Sequence, residues 1–135
     1  MLRFGQGRWW LTLYDGWDGE LEDGTACIAR PQGDGVVLIS AADKAEGPVS
    51  RQELQALAQG ECPADAAVGD CDFGTFRGIH AMYESEEDRW HRWYLSHGSL
   101  VLLVSYTVPL DLEGAEDDAV MAMLRSLKAR AQAWE

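Results

Sequence analysis

The stretch that most constrains this chain runs from Trp90 to Val108. Trp90-His91-Arg92-Trp93-Tyr94-Leu95-Ser96 leads through His97-Gly98 into Ser99-Leu100-Val101-Leu102-Leu103-Val104-Ser105-Tyr106-Thr107-Val108. Both arms are rich in aromatic and β-branched residues, which suit a pleated, half-buried surface. A tight reversal needs positive φ, which Gly98 supplies freely and His97 tolerates better than most residues. The pattern predicts an antiparallel hairpin near 89–108 that turns at His97-Gly98, with Leu95 opposite Leu100 and Trp93 opposite Leu102. Alternation then puts Trp93, Leu95, Leu100, Leu102, Val104 and Tyr106 on one face, which must be core. Trp90, Arg92, Tyr94, Val101, Leu103, Ser105 and Thr107 share the other face, which is mixed. Because Leu100 to Val104 is apolar on both faces, the second arm reads as an interior strand.

Around that hairpin the remaining elements fall in order. Trp9, Leu11 and Leu13 alternate with Trp10, Thr12 and Tyr14 in a first strand over 8–14. Asp15-Gly16, Asp18-Gly19 and Asp23-Gly24 mark a region of turns. Thr25 to Arg30 and Val36 to Ala41 form a second hairpin around Pro31-Gln32-Gly33-Asp34-Gly35. Ser50 and Glu53 make a capping box, with Val49 and Leu54 as its hydrophobic staple. The helix that follows ends near Gly60 and docks Leu54 and Leu57 on the sheet. Residues 61–72 read as a loop, and Phe73 to Tyr83 as a strand that Gly74 and Gly78 weaken, suggesting a bulge or a close backbone approach. A last helix near 116–133 carries Val120, Met123, Leu124, Leu127 and Ala131 as an apolar stripe, with acids in its first turn. The expectation is a single α+β domain over 1–135: an antiparallel sheet of about six strands flanked by two helices, a sandwich.

The element order, together with Trp90-His91-Arg92-Trp93-Tyr94-Leu95 leading into His97-Gly98-Ser99-Leu100-Val101, resembles small bacterial members of the PsbP-like (Ran-binding import factor-like) sandwich group. The resemblance implies an antiparallel sheet flanked by helices. It also implies a non-enzymatic role in binding other proteins, as an adaptor, assembly factor or secretion chaperone. It carries no catalytic motif and no site residues with it.

Charge narrows the partners. There are 23 acidic residues against 11 basic, a net charge of -12. Such a surface repels nucleic acid, whose binding rests on neutralising phosphates, and it favours a basic protein partner. No apolar run approaches the roughly 18 residues of a membrane span, and the N-terminus has no apolar signal core. Cys27, Cys62 and Cys71 are odd in number and lack paired spacing, which fits reduced thiols in the cytoplasm.

Chemical signatures are weak. The histidines and cysteines match no zinc spacing, and a meeting of His80 with His91 across strands is read as ordinary strand packing. The acidic run from Asp15 to Asp23 fails the EF-hand pattern, with Trp17, Gly19 and Glu20 at its third, fifth and sixth positions. No cofactor or metal is expected. Cys71 and His80 form the only nucleophile–base pair close in sequence, so the alternative function is a small-ligand binder or weak hydrolase with a pocket near them. The leading candidate is the mixed hairpin face. Trp90, Arg92 and Tyr94 alternate there, so that Arg92 can lie between two rings, and these residue types anchor protein interfaces. The competing reading is that the helix carrying Leu54 and Leu57 covers this face, since an interior strand needs cover on both sides.

Overall fold

The computed structural model describes residues 2–130. Among them, ten strands make two antiparallel sheets accompanied by two helices, an α+β architecture. The strands are β1 (Leu2–Gln6), β2 (Trp9–Leu13), β3 (Asp18–Glu22), β4 (Thr25–Ala29), β5 (Val36–Asp43), β6 (Ala67–Asp72), β7 (Arg77–Ser85), β8 (Asp88–His97), β9 (Leu100–Pro109) and β10 (Lys128–Ala129). The helices are α1 (Arg51–Glu61) and α2 (Asp117–Arg125). One sheet has the order β3-β4-β5-β9-β8-β7-β6; the other is β1-β2-β10.

The hairpin β8–β9 sits at the centre of the larger sheet, where the sequence placed it. Its turn is one residue further on. His97 pairs with Leu100, so Gly98-Ser99 form the reversal, with Gly98 at φ +60°. A glycine with positive φ at the first central position is the pattern of a II′ turn. Leu95 therefore faces Leu102, and Trp93 faces Val104. The partners move by two residues, an even number, so no side chain changes face. Trp93, Leu95, Leu100, Leu102, Val104 and Tyr106 all lie in the main core with Trp9, Leu11 and Leu13 of β2 and Val120, Met123 and Leu124 of α2.

Four other expectations need correction. The 61–72 segment holds the edge strand β6, which pairs with β7 despite its small, exposed residues. The turn-rich stretch contains β3: Asp18-Gly19 lies within the strand, while Asp23-Gly24, both at positive φ, close the β3–β4 hairpin. Helix α1 runs through Gly60 to Glu61 with Cys62 as its C-cap, and Gly60 is not a left-handed cap. Helix α2 stops at Arg125 instead of continuing to about 133. Ser126 Oγ accepts from the Thr12 N–H at 2.8 Å and donates to the Met123 carbonyl at 2.6 Å. Lys128 and Ala129 then pair with Trp10 and Trp9, so the chain leaves the helix to satisfy the open edge of β2. Residues 131–133 of the expected helix, Ala131 included, lie outside the described residues.

The capping box at Ser50 and Glu53 forms, and Val49 packs against the cluster that holds Leu54. Gly78 is also where the backbone demands it: a β-carbon there would run into the Tyr94 carbonyl.

Candidate functional site

Side chains on the α1 side of the larger sheet fall into rows set by strand register. One row runs Glu22, Thr25, Ser40, Leu103, Tyr94, Ile79. The next runs Glu20, Cys27, Leu38, Ser105, Arg92, Ala81. A third carries Val36, Thr107, Trp90 and Tyr83. Helix α1 lies over β7 and β8 and buries Leu54 and Ala58 against Ile79, Tyr94 and Val101. Leu103 of β9 packs at the margin of this cluster. Over β3, β4, β5 and most of β9 the face carries no covering element among the described residues: Leu38 is 40% exposed, Val36 37%, and Leu103 and Ser105 are half-buried.

The three candidate residues therefore separate. Tyr94 is buried beneath α1. Its hydroxyl donates to Glu61 Oε1 at 2.9 Å and lies 3.4 Å from Cys62 Sγ. Burial, with the neighbouring Cys62 and Glu61, holds that phenol well above its ordinary pKa, so it is a fixed donor. Arg92 does not lie between two rings. It sits over Trp90, 5.3 Å from the ring centroid, gives Nε to Tyr83 Oη at 3.0 Å and pairs with Glu61 at 3.3 Å. Trp90 stacks on Tyr83 with the planes 6° apart. Helix α1 thus covers Tyr94 and leaves Trp90 and Arg92 half-buried at its end, and the cover comes from Leu54 and Ala58, because Leu57 is 39% exposed.

Where α1 ends, a cleft of about 360 Å³ opens between Glu61, Trp90, Arg92, Leu38, Leu103 and Ser105. Its floor is the boundary between the covered and bare halves. Sequence reasoning places Leu103 and Ser105 on this face but misses Leu38 and Glu61 as part of the surface. The signal was present in β5: Val37 and Ile39 are buried, so Val36, Leu38 and Ser40 must face the other way, and nothing in the sequence supplied a second helix for them.

Cys71 and His80 share a neighbourhood without forming a pair. Cys71 lines a cleft of about 450 Å³ with Arg51, Leu54, Asp70 and Arg77, and His80 does not line it. Burial, reinforced by Asp72, pushes the Cys71 thiol up to about 11, the wrong direction for a nucleophile. His80 Nε2 is 2.9 Å from His91 Nδ1, and both rings stack with Trp93. Burial, then the neighbouring His91, pulls His80 down to about 4, and burial lowers His91 as well. At neutral pH the two share one hydrogen bond as neutral rings. No group of three or more His, Cys, Asp or Glu is placed to hold a metal among the described residues.

Glu116 immediately precedes α2. It is a buried carboxylate that accepts from the Tyr106 hydroxyl at 3.0 Å, the Gly35 N–H at 3.0 Å and Arg30 Nε at 2.8 Å. Three donors satisfy it and pin the β4–β5 loop to the start of α2, a structural duty.

No protein-family model matches the sequence, and no curated protein does. Among solved structures, the fold is similar to a crystal structure of a protein from Bacteroides thetaiotaomicron VPI-5482, with a TM-score of 0.66 and 19% sequence identity. The match covers 93% of this chain and 49% of that one, so this chain spans about half the length of its structural neighbour. At that identity the likeness concerns the fold alone.

Proposed function

We propose that this chain is a non-enzymatic, acidic protein-binding domain, working as an adaptor, chaperone or inhibitor, and that it meets its partner through the bare half of the α1-side sheet face. One observation carries the reading. A seven-stranded sheet with both faces regular has a helix over only one half of this face, and the other half exposes Val36 and Leu38 beside Trp90 and Arg92. Contiguous apolar surface rimmed by polar groups is the usual mark of an interaction site. Trp and Arg are the side chains that carry most energy at such sites. The protonated Cys71 thiol and the engagement of His80 with His91 weigh against the hydrolase alternative. The three free cysteines support a reducing compartment, the cytoplasm. No helix among the described residues is long and apolar enough to cross a membrane. The two-sheet architecture is compatible with kinship to the PsbP-like sandwich group, and an adaptor or assembly role would follow from it.

Affinity capture from native lysate tests this. The wild-type chain and a Leu38→Asp variant are compared at low and high salt. A partner retained by the wild type at low salt and lost with Leu38→Asp supports the reading. Retention that is indifferent to Leu38→Asp, or no retention at all, removes it.

A further inference from the structure

The chemistry of the bare half-face specifies its occupant more closely. We infer that it receives a basic amphipathic helix lying alongside α1, an inference that rests on the protein-binding reading above.

Width comes first. From β8 to β3 the face spans four strand spacings, about 19 Å at roughly 4.8 Å each. Helix α1 occupies the β7–β8 side. A second helix, about 10 Å across with its side chains, fits beside it over β9, β5 and β4. The surface offers side chains and not backbone groups, because every strand from β4 to β9 in the sheet order is already paired on both sides. An added strand has nothing to bond to there, whereas a helix needs only an apolar floor.

The floor and its flanks follow from the register. Leu38, Val36, Leu103 and Cys27 form the apolar strip down the middle. On the far flank, Asp18, Glu20 and Glu22 of β3 all point to this face, because they pair with Ala29, Cys27 and Thr25. On the near flank stands Glu61 at the end of α1. Arg92, which lines the cleft on this flank, is already engaged by Glu61 and Tyr83. Negative charge on both sides of an apolar strip is the complement of a helix with an apolar stripe edged by Lys and Arg. The same arrangement disfavours a second copy of this chain, since each copy brings acidic flanks and no basic edge to meet them.

Two synthetic peptides serve as probes: an 18-residue amphipathic helix built from Leu and Lys, and its counterpart with Glu in place of every Lys. Amide shifts are followed by NMR on the full chain. The Leu/Lys peptide should perturb β4, β5 and β9 and bind at least about tenfold more weakly to a Glu20→Lys/Glu22→Lys variant. Both positions are exposed on an edge strand, so the variant folds, and its own spectrum verifies that. The Leu/Glu peptide should leave the spectrum unchanged. The inference is overturned if the Leu/Lys peptide does not bind, if its shifts spread over the acidic surface at large, or if charge reversal on β3 has no effect. It is likewise overturned if the free chain dimerises through this face. Should the peptide fail while lysate capture still depends on Leu38, the protein-binding reading stands and only the basic helix falls.

Discussion

On the α1 side of one continuous sheet, Leu54 is 1% exposed and Leu38 is 40% exposed. Both belong to segments of clear local signature, a capped helix and a hairpin arm, yet one half of the face is sealed and the other is open. The difference lies in which strands α1 can reach. Eleven residues make a helix of about 16 Å, enough to close over Ile79, Tyr94 and Val101 with Leu103 at the margin. The covered half holds the sheet together from its second side. The bare half, with Leu38 and Val36 partly exposed, should add little to stability.

The sharpest way to break that contrast is Gly78→Ala in the covered half. A β-carbon at this position collides with the Tyr94 carbonyl and lies 3.1 Å from Leu54 Cδ1, so strand pairing and helix docking cannot both persist. A loss of about 3 kcal/mol or more is expected in urea unfolding. Leu54→Ala comes next, at about 2–4 kcal/mol, because it empties a fully buried site under α1.

A mid-sized effect should come from the opposite, core-facing side. His80 and His91 are neutral in the folded chain and ionise near 6.5 when unfolded, so the unfolded state binds more protons below that pH. Stability is then complete above about 6.5 and declines as pH falls towards about 4. With solvent screening at these partly exposed rings, the pair contributes on the order of 1–2 kcal/mol. Replacing both by Phe should flatten the urea midpoint over that window relative to wild type; an unchanged slope would contradict the neutral pair. The smallest effect belongs to the bare half: Leu38→Ser should shift stability by less than about 0.5 kcal/mol, while weakening partner capture. If it destabilises as much as Leu54→Ala, the two halves are not different in kind.

Much of this was legible in the residues, and the failures have physical reasons. Periodicity of two reveals β2, β4 and β5 because each buries one face, and the Ser50 capping box announces α1. The aromatic and β-branched arms around Gly98 reveal β8 and β9, which are buried on both faces near their turn. Strands β1, β3 and β6 were missed because they lie at sheet edges, where small or charged residues need not alternate. The stripe Val120, Met123, Leu124, Leu127 suggested a longer helix, yet Leu127 is buried from beyond the end of α2, in the turn before β10. Tertiary pairing with β2 outweighed helical spacing there. At the site, alternation placed Trp90, Arg92 and Tyr94 on one face correctly. It could not say that α1 would stop over Tyr94, since helix reach depends on where the chain docks.

Cys27 sits on the bare half, opposite Leu38 and Glu20, whereas Cys71 lies beyond α1 at the edge strand β6. Alkylation of the two thiols, followed residue by residue in the free chain and in the captured complex, reads occupancy of the face directly. The account predicts that Cys27 becomes at least about tenfold slower to modify in the complex while Cys71 keeps its rate. Equal Cys27 rates in the free and bound chain would contradict it.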